Sequence, residues 1–360
     1  LLLAEYRLRF PTARAFYFDE AESFGNEAKN PILKPQCNID MLRSYPYIGR
    51  NLAFDVEALR QLGGITSEYR HFGFLDCIYQ FIEQEGPQSV AHIPEVLIYT
   101  QQTLADWSAS EVTSRYYPLV LEQHLARCHI NAEISAGAKS GLWRVNYQYD
   151  SQPLISIIIP TRDHLVLISR CIETLMENTR YPHYELLIID HQSTEPGTRQ
   201  YLAQLSAMGL SQVRVLTWED EFNFSAINNF ASEQARGDVL LFLNNDVEIV
   251  DSGWLDAMLQ HALRPEVGIV GARLEYQDGR IQHGGMVLGR NERAGIVFQG
   301  HAADAAGYMK SLLVTHNVSA VRAYCMTMRR EGLATLGGVD AEHFLKYVGE
   351  VVRGVRAGQQ

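Results

Sequence analysis

VLLFLNND, running from Val239 to Asp246, is five consecutive apolar residues that stop on two amides and a carboxylate. A short apolar run without alternation reads as a strand buried on both faces, because in such a sheet neither side of the pleat meets water. Three more runs follow the pattern: LISIII (Leu154 to Ile159), LLIID (Leu186 to Asp190) and VRVL (Val213 to Leu216). Between them the apolar residues take helical spacing, as at Leu165, Ile168, Ile172, Leu175 and Met176. Strands alternating with amphipathic helices predict an α/β fold, a Rossmann-like, mostly parallel sheet with helices on both faces.

The ends of these runs carry the chemistry. They stop at Pro160-Thr161-Arg162-Asp163, Asp190-His191-Gln192-Ser193 and Asn244-Asn245-Asp246. Open α/β sheets bind ligands outside the carboxyl ends of their strands, so these tips are expected to gather Asp163, Asp190 and Asp246 around one diphosphate pocket. The competing reading of each is a helix cap. Gly237-Asp238, ahead of VLLFL, reads as a turn that launches the strand.

Composition narrows the function classes. A formal charge of −11 without a basic stripe argues against a nucleic-acid partner. Cys37, Cys77, Cys128, Cys171 and Cys325 are scattered and odd in number, which suggests neither a disulfide framework nor a zinc site and fits a reducing cytosol. No apolar run reaches the roughly 20 residues that cross a bilayer. The 360 residues suffice for two domains, and the start on Leu1 suggests a piece of a longer protein with any membrane segment outside it.

An internal repeat supports two modules. LAFDVEALRQLGG (Leu52 to Gly64) returns 274 residues later as MTMRREGLATLGG (Met326 to Gly338), and the same offset pairs Asp76 with Glu350. Both acids stand near the start of a helix-like segment.

PLISIIIPTRD, LLIIDHQST, FNFSAINNFASEQARGDVLLFLNNDVEIV, GWLDAMLQHALRPEVGIVGARL and GRIQHGGMVLG, in that order, resemble family 2 glycosyltransferases, in particular the tandem, rhamnosyltransferase-like enzymes of bacterial O-antigen and capsule synthesis. FDEAES and YIGRNLAFDVEALRQLGG resemble the rear half of a preceding copy. The resemblance implies a GT-A domain over 153–360, a partial module over 1–135 and a linker over 136–152. It also implies a nucleotide-diphosphate sugar donor, Mg²⁺ or Mn²⁺, a glycan or lipid-linked glycan acceptor, and inversion at the anomeric carbon. The implied location is cytoplasmic, at the inner face of a bacterial membrane with peripheral association.

Residue by residue, the resemblance places Pro160, Thr161, Asp163, Asp190, Ser193, Asn228, Asn244 and Asn245 at the nucleotide and Asp246 at the metal. The family's Asp-x-Asp reads Asn244-Asn245-Asp246 here, which leaves one carboxylate. Glu350 is the candidate base, although its surroundings, Tyr347-Val348-Gly349-Glu350, depart from the family's Asp-rich segment. In the first module Asp76 takes the base's place and Asp19-Glu20 resembles the metal motif. A carboxylate base takes the proton of the attacking hydroxyl, and a divalent ion neutralises the leaving pyrophosphate. Glu248 reads as solvated, His283 and His316 as structural, and Trp254 as core.

Two enzyme rivals lack their motif: after the first strand there is neither the glycine-rich basic loop of a pyrophosphorylase nor the G-x-G-x-x-G of a dehydrogenase. The rival from another class is a catalytically silent nucleotide-sugar-binding or scaffolding module.

Overall fold

The computed structural model describes residues 1–24, 27–290 and 293–339. The described chain forms two compact units, one of residues 1–148 and 304–317, the other of residues 149–303 and 318–339.

In unit 1, α1 (Leu2–Arg9) precedes β1 (Ala15–Phe24), which forms a hairpin with β2 (Glu27–Ile32). After α2 (Ile39–Ser44), β3 (Leu52–Phe54) pairs antiparallel with the start of β1. Helices α3 (Val56–Gln61) and α4 (Gly73–Glu85) lead to β4 (Val90–Thr100), which runs parallel to β1. Then come α5 (Leu104–Ser108), α6 (Glu111–Arg127) and an antiparallel pair, β5 (Ala132–Ala136) and β6 (Trp143–Tyr147).

The starts of four of these helices are set locally. Asn38, Asp55, Thr103 and Ser110 each accept a hydrogen bond from the backbone N–H three residues on, satisfying a donor that the helix leaves free. The core collects Leu75, Ile78, Tyr79 and Phe81 of α4 with Tyr117, Val120 and Leu121 of α6.

Two features differ from the sequence reading. Much of the stretch 136–152, expected as a linker, belongs to the β5–β6 hairpin, because Trp143, Val145 and Tyr147 are buried while Arg144 between them is exposed. Residues 304–317 belong to unit 1 rather than to the second module. There the Tyr308 hydroxyl accepts from the Leu33 N–H at 2.7 Å, and Asn317 exchanges hydrogen bonds with Asn38 and Asp40. Leu313 and Val314 pack on the core, and the Lys310 ammonium lies 4.7 Å from the Tyr45 ring centre.

Unit 2 is built as the apolar runs predict. Its strands β7 (Ile155–Thr161), β8 (Tyr184–Asp190), β9 (Val213–Thr217) and β10 (Val239–Leu243) are mutually parallel, in the order β10-β7-β8-β9. They alternate with α7 (Leu165–Asn178), α8 (Pro196–Ala207) and α9 (Phe224–Gln234). After α10 (Trp254–Ala262), β11 (Val270–Gly271) and β16 (Cys325–Arg329) extend the sheet antiparallel beyond β10, and α11 (Arg330–Thr335) follows. Two small hairpins, β12 (Leu274–Glu275) with β13 (Ile281–His283) and β14 (Met286–Arg290) with β15 (Arg293–Ile296), lie in between.

Both faces of this sheet are covered, which is why its strands are apolar throughout. Ile155, Ile157, Ile159, Leu186, Ile188 and Leu241 pack with α7, α8 and α10. The residues between them, Ile158, Leu187, Ile189, Leu240 and Phe242, pack with α9 and Leu333 of α11. Full burial of one such side chain stabilises by about 1.5–3 kcal/mol.

At the amino ends of the strands, Glu185 is buried and accepts from the Ser156 hydroxyl and the Arg236 N–H, both at 2.7 Å. Gly237 packs against this corner so closely that a Cβ would fall 2.4 Å from the Leu154 carbonyl oxygen. The turn before VLLFL is therefore a packing requirement as well as a launch point.

Candidate active site at the carboxyl ends of the parallel strands

The tips of β8, β7 and β10 are sewn together by side chains. The Ser193 N–H donates to Asp190 Oδ1 at 3.1 Å, the Asp163 N–H donates to the Ser193 hydroxyl at 2.8 Å, and the Asn245 amide donates to the Thr161 hydroxyl at 2.9 Å. Thr161 and Ser193 are buried, which fixes these bonds in place. Asp163, His164 and Gln192 have φ of 54°, 57° and 53°, left-handed conformations that non-glycine residues seldom adopt and that gather at functional turns. Pro160 lies within β7, opposite Ile189 of β8.

Asp246 stands in the turn after β10 with its side chain exposed. Among the described residues no ion pair engages it. Nearby Glu248 is held by Arg170 at 3.2 Å. A free carboxylate at a strand tip fits a hard divalent cation that completes its shell with phosphate oxygens and water. Asn244 contributes backbone instead, its N–H bonded to the Tyr324 carbonyl oxygen and its own carbonyl accepting from the Cys171 thiol.

Two expected nucleotide residues are placed otherwise. The Asp163 carboxylate is engaged within the protein: it accepts from the N–H groups of Thr194 and Glu195 at 2.6 and 2.7 Å, and these bonds hold its pKa below the usual carboxylate value. Glu195 answers by accepting from the Leu165 N–H and the Thr198 hydroxyl. These amides precede α8, so Asp163 braces the loop before that helix and does not cap α7. Asn228 is buried on the α9 face, where it lines a small cavity with Phe224, Phe242 and Met326 and donates to the Phe224 carbonyl within its own helix. It lies at i+4 from that carbonyl, and its cavity neighbours Phe242 and Met326 pair with each other near the end of β10.

An open cleft of about 570 Å³ adjoins the β7 and β8 tips, lined by Arg162, His191, Gln192, Phe222 and the three acids Glu219, Asp220 and Glu221. Gln192 ties the acidic loop to the β8 tip by donating to the Glu219 and Asp220 carbonyl oxygens. His191 and Phe222 are functional candidates that motif reading passed over. The signal was present, since both adjoin polar strand ends.

In unit 1 the motif-like acids are already engaged. Asp19 and Glu20 are 1% and 3% exposed. Asp19 accepts from the Lys34 N–H and contacts His92, and Glu20 receives the Lys34 ammonium at 3.1 Å. Asp76 is buried on α4, with the Arg127 guanidinium 2.9 Å away and the Gln80 amide donating to it. Glu350 lies outside the described residues.

Glu83, His124 and Cys128 of unit 1 come close enough to hold a metal, but the proton positions oppose it. Arg43 donates to His124 Nε2 at 3.1 Å, which leaves the proton on Nδ1, where it is given to Glu83 at 2.7 Å. Arg127 also binds Glu83. This is a closed polar network.

His283 is buried as expected, and burial lowers its pKa to about 4. Trp254 packs against the α7 and α10 core. Among the described residues no helix is long and apolar enough to cross a membrane.

The model of glycosyl transferase family 2 matches residues 156–335. The chain is 35% identical over 372 aligned positions to the O-antigen biosynthesis protein RfbC of Myxococcus xanthus, covering 99% of this chain and 28% of that protein. It is 34% identical over 336 positions to the uncharacterised protein y4gI of Sinorhizobium fredii, covering 92% of this chain and 37% of that one. The chain therefore spans about a third of the length of these relatives. A solved structure of GalNAc-T7 with UDP, GalNAc and Mn²⁺ superposes with a TM-score of 0.47 at 14% identity, over 57% of this chain and 40% of that one.

Proposed function

Because the chain belongs to glycosyl transferase family 2, we propose that unit 2 moves a sugar from a nucleotide-diphosphate sugar to a glycan hydroxyl with inversion, in the assembly of a bacterial surface polysaccharide. One observation carries the reading: the β8, β7 and β10 tips are joined by side-chain hydrogen bonds, and the turn after β10 carries Asp246, an exposed carboxylate that no ion pair engages among the described residues. The kinship with a protein of O-antigen biosynthesis supports the polysaccharide context.

In this reading Asp246 holds Mg²⁺ or Mn²⁺, which when bound offsets the charge of the departing diphosphate. Asn245 and Thr161 fix the turn that carries Asp246, and Ser193 and Asp190 fix the neighbouring tip, so the site is formed before the donor arrives. Glu350, by its place in the repeat, takes the proton of the acceptor hydroxyl. Unit 1 is non-catalytic in this proposal, which the buried pair Lys34–Glu20 and the pairing of the buried Asp76 with Arg127 support.

Asp246→Ala tests the assignment. Calorimetry of the full chain with Mn²⁺ and UDP, dTDP or GDP is expected to show at least about a tenfold loss of affinity, with the circular dichroism spectrum unchanged. Undiminished metal-dependent binding in that variant removes Asp246 from the site.

A further inference from the structure

The segment after β10 leaves the sheet, so its backbone groups need partners from elsewhere. Helix α7 supplies several of them. At one end of the segment the Cys171 thiol donates to the Asn244 carbonyl oxygen at 3.7 Å. At the other, Ile249 is held by both of its backbone groups: its N–H donates to the Thr174 hydroxyl at 3.1 Å, and its carbonyl oxygen accepts from the Asn178 side-chain amide at 2.7 Å. Asp246 stands between these ends, and the next acid, Glu248, accepts from Arg170 at 3.2 Å.

Residues 171, 174 and 178 recur at the spacing of one helix face. Cys171 and Thr174 are 0% and 4% exposed, and Ile168, Ile172 and Leu175 beside them enter the core. A hydroxyl in such a place costs free energy unless it is bonded. That of Thr174 donates back within α7, to the Arg170 carbonyl oxygen at 2.9 Å, while it accepts from Ile249. Valine has the same shape and fills the same space, so the hydroxyl is explained by the Ile249 amide it holds rather than by the core. The Asp246 side chain is exposed, and its charge reaches α7: burial, and after it that carboxylate, push the Cys171 thiol up to about 12, so the thiol keeps its proton and stays a donor to Asn244.

We propose that Thr174 and Asn178 are positioning residues for Asp246: by fixing Ile249, three residues further on, they hold the turn so that its carboxylate is aimed before the divalent ion arrives. This rests on the reading of Asp246 as the metal residue and adds what aims it. Thr161 and Asn245 hold the turn from the side of β7, and α7 holds it at its exit. On a loose turn the ion has to order the carboxylate as it binds, and that ordering weakens binding.

The test follows Mn²⁺ binding to the full chain by calorimetry, in the presence of whichever of UDP, dTDP and GDP the parent protein binds. Thr174→Val keeps the shape and removes the hydroxyl, whereas Thr174→Ser keeps the hydroxyl. Asn178→Ala releases the Ile249 carbonyl from a half-buried position, where folding is not at stake, and thermal melting checks all three variants. The expected result is Mn²⁺ binding about tenfold weaker in Thr174→Val, about threefold weaker in Asn178→Ala and within about twofold of the parent in Thr174→Ser, with nucleotide binding by Thr174→Val restored when Mn²⁺ is raised about tenfold. Parent-like Mn²⁺ affinity in both Thr174→Val and Asn178→Ala overturns the proposal. So does a loss that serine does not repair or that excess Mn²⁺ does not make up, since either marks a helix that merely packs less well. Asp246→Ala is measured alongside. If it loses Mn²⁺ while neither α7 variant does, the metal reading stands and only the role of α7 goes; if it binds Mn²⁺ as the parent does, the metal reading fails and takes this proposal with it. Should the parent protein bind none of the three nucleotides with Mn²⁺, the donor-binding reading fails as a whole.

Discussion

Unit 1 and unit 2 contain one backbone design in two electrostatic versions. In unit 1 the design is β1 paired with β3, then α3 and Gly63-Gly64. In unit 2 it is β10 paired with β16, then α11 and Gly337-Gly338. The helix ends close in the same way: Gly63 and Gly64 donate to Arg60 and Leu59, while Gly337 and Gly338 donate to Ala334 and Leu333. Phe54 faces Ala15 and Met328 faces Leu240, and counting four residues along each strand superposes Asp19-Glu20-Ala21 on Asn244-Asn245-Asp246. In unit 1 the first two positions are acids, buried and compensated from within by Lys34 and His92. In unit 2 they are amides, and the only acid is the exposed third. The strand pair, helix and double-glycine turn recur; what differs is that the acids at Asp19 and Glu20 lie within β1 and are answered by the protein, whereas Asp246 lies beyond β10 and is exposed.

The comparison breaks most visibly at Lys34. Lys34→Met removes the ammonium from Glu20 and leaves a buried, unanswered carboxylate, so denaturant unfolding is expected to show a loss of about 3–5 kcal/mol. Adding Glu20→Gln is expected to restore most of it. A loss below about 1 kcal/mol in the single variant contradicts internal compensation in unit 1.

A smaller effect separates one histidine of each unit, His92 and His283. His92 of unit 1 faces the Asp19 carboxylate at 2.7 Å, whereas His283 of unit 2 faces the Arg322 charge, and burial together with that charge brings its pKa from 6.5 to about 4. The folded state thus disfavours the charged imidazole. Stability is fully present above the unfolded pKa near 6.5 and is lost as the pH falls toward 4, by an amount on the order of 3 kcal/mol. His283→Asn should flatten the stability profile between those values. An unchanged acid slope in the variant rules His283 out as its source.

The smallest effect sharpens the backbone equivalence. Gly64 and Gly338 have φ of +86° and +87°, so alanine at either is expected to cost about 1–2 kcal/mol from the left-handed conformation alone. A Cβ on Gly64 meets nothing within 4 Å, whereas on Gly338 it comes within 3.0 Å of Asn229 Oδ1, which binds the Val339 N–H. Gly338→Ala is therefore expected to lower the unfolding midpoint more than Gly64→Ala, and equal midpoints would show that Asn229 yields freely.

How far the sequence could be read follows the same contrast. VLLFL was legible to its ends because a strand covered on both faces has no reason to admit a polar residue, and β10 is Val239–Leu243 as the apolar run predicts. The repeat was legible because its two glycines are fixed by backbone conformation. Asp163 was ambiguous, since an acid after a strand suits a helix-start amide as well as a ligand, and only the turn at φ 54° decides between them. The burial of Asn228 was not legible, because an amide in a motif does not announce which face of its helix it is on. The β5–β6 hairpin did leave a trace, the alternation of Trp143, Val145 and Tyr147 with Arg144 and Asn146, which a reading tuned to continuous apolar runs passes over. Residues 304–317 left none, as they dock by single anchors such as Tyr308 and Asn317 rather than by a periodic face.

That docking has a consequence for synthesis. A ribosome that has finished residue 148 has not finished unit 1, because the piece carrying Tyr308 and Asn317 is still some hundred and fifty residues away. Asn38 and Asp40 wait for their partners while the parallel sheet of unit 2 is being made, so the final closure of the unit translated first comes late in translation.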